Sequence, residues 1–415
     1  MSSQQDGIGR QVLTIAAVLL ATANLRPAIT TISASLDGID GTYGLGPSGL
    51  IMLSAIPVLS FALSAPAVPW LSRTLGSRCA IVTALLMLAV CLVVRAIVPA
   101  LMLPVTCLCG AAIMIVSVLV PQILKTRAGA AWATGAATVG FGLGAAIGAG
   151  TLRPLQAAWG GSLPLALASW ALPALLAAGV FMASGLGAKS TVAASGQMGH
   201  ARSAPLALLS QPTARAVTVF FGLQAVLYFA LTSWLPSVLL ERGLDAGEAG
   251  GQLAWFSFAG LLPSLLAPVL ASRRGRLRRL VPLTGLAIAA GLLWLLVAPT
   301  AQLALAIGWL GVAQGAAFSL AIALVVQRTS DAAAAGALSS VSQGMGFGVG
   351  ALGSAAVGAI HQESGTWWPA LLMLLAAALC LAMAGHRAAN GASVGMPSAP
   401  PAVTACETSG NTDFL

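Results

Sequence analysis

Charge is what this 415-residue chain has least of. Only 7% of its residues are Asp, Glu, Lys or Arg, while 58% are hydrophobic; a soluble domain carries roughly a quarter charged residues. A water-soluble fold is excluded, because it could not cover so much apolar surface. Cysteine is sparse and poorly spaced. Cys79, Cys91, Cys107, Cys109 and Cys380 lie in apolar runs and Cys406 near the C-terminus, with no Cys-x-x-Cys pair, so neither a disulfide framework nor a thiolate metal site is expected. The three histidines, His200, His361 and His386, fall in loops or at a helix end, without metal-ligand spacing or a neighbouring nucleophile. Hydrolytic and metal chemistry therefore lack a foothold, and no cofactor, metal or enzymatic activity is expected. None of the ten acidic residues lies inside an apolar run, which removes the usual intramembrane carboxylate or histidine proton relay.

What the chain has instead is a succession of apolar runs. A membrane-crossing helix needs about 20 mostly apolar residues, since the hydrocarbon core is roughly 30 Å thick. Runs of that kind predict an all-α integral membrane protein of about twelve spans, near 12–36, 48–70, 79–98, 100–121, 131–151, 163–184, 214–237, 250–271, 280–299, 301–325, 333–358 and 367–386. The first is too long for the apolar region of a cleavable signal peptide and contains Arg26, so it reads as a span. The polar stretch 185–213 divides the chain into two six-helix bundles, 1–184 and 214–387, and residues 388–415 read as a disordered tail.

The net charge of +9 does not point to nucleic acid, because the basic residues sit in short loops between apolar runs. With the N-terminus in the cytoplasm, fifteen basic residues fall inside and only three outside (Arg95, Arg153 and Arg242), Arg26 being the nineteenth. The positive-inside rule then places both termini in the cytoplasm and the protein in the inner or plasma membrane.

The halves echo each other, as in transporters built from repeats. Ala65-Pro66 with the basic turn Arg73 to Arg78 matches Ala267-Pro268 with Arg273 to Arg279, and Pro164-Leu165-Ala166-Leu167 matches Pro369-Ala370-Leu371-Leu372. Glycines at four-residue spacing, Gly140, Gly144 and Gly148 in the fifth span and Gly344, Gly348, Gly346 and Gly350 in the eleventh, predict close helix packing. Gly348-x-Gly350-x-x-Gly353 formally matches a dinucleotide fingerprint, but it has no preceding strand and no following acidic residue. It too reads as packing.

The strongest functional signal is Arg26, in the run Asn24-Leu25-Arg26-Pro27 near the middle of the first span. An intramembrane arginine faces a water-filled cavity or a partner, and with no carboxylate available that partner is an anionic solute or backbone carbonyls. Two roles stay open here: solute binding or gating, and stiffening of the helix. Pro27 frees a carbonyl one turn earlier and can kink the span. Other mid-span polar groups are Asn24, Ser117, Gln224, Tyr228, Gln314 and Gln343, which either line a cavity or join helices. Phe318 is equally open to both readings. Trp234, Trp255, Trp294 and Trp309 read as interface anchors or packing.

The stretches NLRPAIT (Asn24 to Thr30), IPVLSFALSAPAVPWLSRTLG (Ile56 to Gly76), VLVPQILK (Val118 to Lys125), GLQAVLYFALTSWLPSVL (Gly222 to Leu239), GVAQGAAFSLAIAL (Gly311 to Leu324) and ALSSVSQGMGF (Ala337 to Phe347) carry a resemblance. Over residues 12–386 the chain resembles the major facilitator superfamily, and within it the cyanate and 2-nitroimidazole porters. That resemblance implies two six-helix bundles rocking about a central site lined by spans 1, 4, 7 and 10. The matching positions are Asn24, Arg26, Pro27, Gln224, Tyr228, Gln314 and Gln343. Three positions depart from it. Val116-Ser117 stands where relatives have Gly-Asn, Ala145 stands where drug antiporters have proline, and the basic turn after span 2 lacks its usual acidic residue. The expected function is secondary or facilitated transport of a small polar or anionic solute by a monomer in a lipid bilayer. Polyspecific drug efflux is the alternative, and a non-transporting membrane sensor is the alternative of another class.

Overall fold

The computed structural model describes residues 2–125, 131–186, 207–273, 275–330 and 332–395. Every long apolar run is helical, because a chain in hydrocarbon must satisfy its own backbone hydrogen bonds. Among the described residues, eleven segments are long and apolar enough to cross a membrane. These are span 1 (Val12–Ser33), span 2 (Gly46–Ala67), span 3 (Ser77–Ile97), span 4 (Pro99–Val120), span 6 (Leu163–Ala183) and span 7 (Pro212–Glu241), then span 8 (Ala246–Ser272), span 9 (Leu277–Val297), span 10 (Thr300–Gln327), span 11 (Ala334–Ser364) and span 12 (Trp368–Asn390). Helix Ala131–Ala158 occupies the place of the expected span 5. Twelve helical spans thus alternate between a near end, where span 1 begins and span 12 finishes, and a far end.

Several helices outrun their apolar cores. Span 7 reaches Glu241, span 11 Ser364 and span 12 Asn390. Two carboxylates consequently lie in terminal turns, Glu241 and Glu363, and Glu248 closes a capping box with Asp245 at the start of span 8. Of the disordered tail expected from 388, residues 388–395 are described and packed onto the protein. Residues 388–390 continue span 12, Val394 is buried beside Arg328 and Thr329, and Gln211 donates to the Gly395 carbonyl. Residues 396–415 and most of the expected linker, 187–206, lie outside the described residues.

The three basic residues assigned to the outside are all tied down. Arg153 pairs with Asp37 at 2.7 Å, and Arg242 donates to the Leu295, Leu296 and Ala298 carbonyls, the groups that a helix C-terminus leaves free. Arg95, inside the expected run 79–98, sits in the last turn of span 3, is 0% exposed, and donates through Nη1 to the Ala28 carbonyl of span 1 at 2.8 Å.

Glycine packing relates the two halves. A Cβ on Gly140, Gly144 or Gly148 would run into Thr22, the Ala23 carbonyl, or Pro27 and Thr30, so span 5 lies directly on span 1. In the second half, Gly346, Gly350, Gly353 and Gly358 of span 11 press on Phe221, Ala225, Val226 and Trp234 of span 7. The fifth helix of each half thus rests on the first. Gly344 and Gly348 have nothing within contact of an added Cβ, so their expected packing role is corrected to the other glycines of the same helix. Spans 8 and 10 cross through Gly260, Gly311 and Gly315, a contact that the glycine spacing had not indicated.

The halves meet through spans 2 and 11 and through spans 5 and 8. Toward the far end Ser354 Oγ lies 3.3 Å from Ser54 Oγ and Gly250 abuts the Ala149 carbonyl, and within the second bundle Trp234 holds Ser354 by donating to its carbonyl at 2.8 Å. Near this seam, Ala28, Ile29, Ser33, Ser54, Pro57 and Ser233 line a cavity of about 10 Å³, room for one water.

Candidate functional site

Span 1 is not one helix. Its first part ends at Ala23, Asn24 to Arg26 form a turn, and helix resumes over Pro27–Ser33. The cause is local, because Pro27 has no N–H and its ring conflicts with the carbonyl four residues earlier, that of Ala23. The turn tightens instead: Leu25 N–H donates to the Thr22 carbonyl at 3.2 Å, and the Arg26 carbonyl receives Ile29 and Thr30 N–H, each at 2.9 Å. Gly144 lies against the Ala23 carbonyl, where its missing side chain leaves only a Cα–H to face that oxygen. Beyond the break, the Thr30, Thr31, Ser33 and Ser35 hydroxyls donate to carbonyls of their own helix, so this polar stretch needs no other partner.

The break turns Arg26 into the protein, where it is 5% exposed. Its guanidinium carbon lies 4.1 Å from the Phe141 ring centre of span 5, and 4.8 and 5.6 Å from the Tyr228 and Phe229 rings of span 7. A side chain of one half is therefore held against rings of the other. Cation–π contacts of this kind contribute about 2 kcal/mol when desolvated, but they leave N–H groups unserved. Both Nε and Nη1 are buried without a hydrogen-bond partner. No described carboxylate forms an ion pair with Arg26.

The remaining expected residues divide. One turn before Tyr228, Gln224 Nε2 faces Gln314 Oε1 of span 10 at 3.5 Å, and Gln314 Nε2 is buried without a partner. Phe318, one turn beyond Gln314, contacts Phe221 with ring centres 6.5 Å apart. Arg26 with Tyr228, Gln224 with Gln314 and Phe318 with Phe221 are thus three separate contacts along spans 1, 7 and 10. The others are not brought to them by a hydrogen bond. The Asn24 amide donates to Leu20 O in its own helix at 2.7 Å, and Gln343 Nε2 donates to Ser339 Oγ, also in its own helix, at 2.7 Å. Ser117 is half-buried on span 4.

Sequence reading missed the aromatic layer. Phe61 of span 2, Phe221 and Phe229 of span 7 and Phe347 of span 11 meet with ring centres 5.6–6.1 Å apart, joining the halves beside Arg26. Three of the four, Phe61, Phe229 and Phe347, stand inside the motifs that carried the resemblance and Phe221 just before one of them, but single phenylalanines in an apolar run carry no signal of their own. Of the four tryptophans, the exposed Trp255 and Trp309 donate to Ala304 O and Ala287 O, the half-buried Trp294 donates to Gln302, and Trp234 is buried against Trp367. His361 stacks on Trp367 at 3.7 Å between ring centres, and among the described residues no group of three His, Cys, Asp or Glu could hold a metal.

No family model matches the chain. It is 29% identical over 387 residues to an uncharacterized transporter of Bacillus subtilis (strain 168), covering 90% of this chain and 92% of the relative. It is 28% identical over 393 residues to the 2-nitroimidazole transporter of Escherichia coli (strain K12), covering 92% and 97%. With the cyanate transport protein of the same organism it shares 28% over 364 residues, covering 84% and 90%. These relatives bear out the resemblance read from the motifs. Among solved structures, a nucleoside transporter superposes with a TM-score of 0.73 at 15% identity, covering 91% of this chain and 98% of that one. The xylose transporter of Escherichia coli in a partially occluded inward open conformation gives 0.67 at 16% identity, covering 90% and 97%. The chain has the major facilitator fold, two six-helix bundles of twelve spans.

Proposed function

We propose that this protein is a secondary or facilitated transporter that binds a small polar or anionic solute between its halves, with Arg26 as the counter-charge. Relatives named as transporters along nearly the whole chain support transport of the major facilitator type. The observation that carries the solute class is the Arg26 guanidinium, buried at mid-span with Nε and Nη1 unpartnered. Keeping a charge at this depth costs about 2.5–3.5 kcal/mol on insertion scales, and a bound anion offsets that cost with charge-assisted hydrogen bonds. Phe141, Tyr228 and Phe229 fix the guanidinium plane, and Gln224 with Gln314 offers amides to a polar solute. Contacts at the far seam hold the halves together on that side, and rocking of the halves would open the site to one side at a time. Cyanate and 2-nitroimidazoles, which the relatives' names carry, are the solutes to try first.

The test is uptake of labelled cyanate and a 2-nitroimidazole into proteoliposomes, with and without a pH gradient, for wild type, Arg26→Lys and Arg26→Gln. Saturable flux is expected from wild type, weakened flux from Arg26→Lys and loss of flux from Arg26→Gln. Unchanged rate and affinity in a normally folded Arg26→Gln protein would overturn the site.

A further inference from the structure

Away from the interior, charge is most concentrated in the turn between spans 8 and 9. Five arginines, Arg273, Arg274, Arg276, Arg278 and Arg279, fall within the seven residues 273–279. Gly275, at φ +78°, makes the reversal between Arg273 and the run Arg276, Arg278 and Arg279. Arg273, Arg276, Arg278 and Arg279 are exposed, and none of them forms an ion pair with a described carboxylate. Arg328, at the end of span 10, adds a sixth cation. Its guanidinium is anchored to the Ala389 and Gly391 carbonyls, and burial together with the nearby Arg278 opposes its charge. Orientation by positive charge asks only for an excess of basic residues on one side. It does not ask for five on one turn, where they repel each other.

The surroundings identify what relieves that repulsion. Leu266 and Val269 precede the turn on span 8, Leu283 and Leu286 follow it on span 9, and all four are exposed. On membrane-spanning helices such faces lie against acyl chains, which sets the guanidinium groups at headgroup depth. Planar guanidinium forks match phosphate oxygens pairwise, and clusters of four to eight basic residues beside a span attract anionic lipid. We propose that the arginine turn between spans 8 and 9 is a binding site for the phosphate headgroup of an anionic phospholipid.

The test is native mass spectrometry of the whole protein with phosphatidylglycerol and with phosphatidylcholine of the same acyl chains. Variants are the quadruple exchange Arg273→Gln, Arg276→Gln, Arg278→Gln and Arg279→Gln, with Arg215→Gln as an exposed control elsewhere. Saturable binding of phosphatidylglycerol over phosphatidylcholine is expected. The quadruple variant should bind at least about tenfold more weakly and the control should be unchanged. Should the quadruple variant not fold, salt titration of wild type replaces it: phosphatidylglycerol binding should weaken as salt screens the cluster, and phosphatidylcholine binding should not. Equal binding of the two lipids, salt-insensitive binding, or full retention in the quadruple variant would each overturn the proposal. So would competition by inorganic phosphate at millimolar concentration, which would mark a site for a soluble anion.

Discussion

Replacing Gly144 by alanine tests whether the break in span 1 and its contact with span 5 are as described. The new methyl would occupy the place of the Ala23 carbonyl oxygen. That obstacle is backbone and cannot rotate away, so the two helices must separate. Overpacking of this kind costs typically 1–3 kcal/mol, and a rigid backbone neighbour puts the cost toward the upper end. Against it stands the helix preference of alanine over glycine, about 0.8–1 kcal/mol. The expected net loss is roughly 1–2 kcal/mol, a factor of about 5–30 in the folded-to-unfolded ratio. Gly348→Ala is the control, because it has the same chemistry but nothing within contact of the added methyl. It keeps the helix gain and should be neutral or stabilising by up to about 1 kcal/mol. Equilibrium unfolding in mixed micelles measures both. If Gly144→Ala were as stable as wild type, or if the two variants moved together, the packing of span 5 on the freed carbonyl would be refuted.

Three further outcomes are expected. Arg95 is fully buried with Nε and Nη2 unpartnered; Arg95→Met should therefore be neutral or stabilising by about 1–4 kcal/mol, whereas Arg95→Ala, which opens a cavity, should lose about 2–5 kcal/mol. Equal losses in both, read by the same unfolding assay, would contradict this. With the six native cysteines replaced, oxidation of a Ser54→Cys, Ser354→Cys protein should lock the far seam and abolish flux, with recovery on reduction; undiminished flux in fully cross-linked protein would refute alternating access there. Burial raises the Tyr43 phenol above its ordinary value of 10.0, and its hydroxyl donates to the Ala96 carbonyl at 2.9 Å. The folded state thus favours the protonated phenol: this stabilisation is complete below pH 10.0 and lost as pH rises above it. Tyr43→Phe should remove that alkaline loss from a stability–pH profile.

Much of the architecture is legible in the sequence because hydrocarbon imposes a simple rule: backbone groups must pair within a helix, and about 20 apolar residues are needed to cross. The twelve runs, their division into sixes and the mid-span position of Arg26 follow from composition and position alone. Pro27 likewise announces a break, since its missing N–H and its ring act on neighbours close in the chain. Less was legible wherever the outcome depended on the face a helix presents. Gly344 and Gly348 share the spacing of Gly346 and Gly350, yet only the latter pair meets span 7, because helix rotation decides which glycines face a neighbour. Arg95 counts in the sequence only as an outside cation at the end of a run; that it is buried with the Ala28 carbonyl within reach depends on the short helix after Pro27.

Lipid penalises charge and unpaired backbone whatever the fold, so a helical membrane protein with an arginine at mid-span is already implied by the order of its residues. What surrounds that arginine depends instead on how distant helices pack. Phe141, Tyr228 and Phe229 come from helices more than a hundred residues away in the chain, and their approach depends on small contacts such as Gly144 on Ala23. Contacts of that kind arise from the packing of whole helices and leave no periodic mark in the residues that make them.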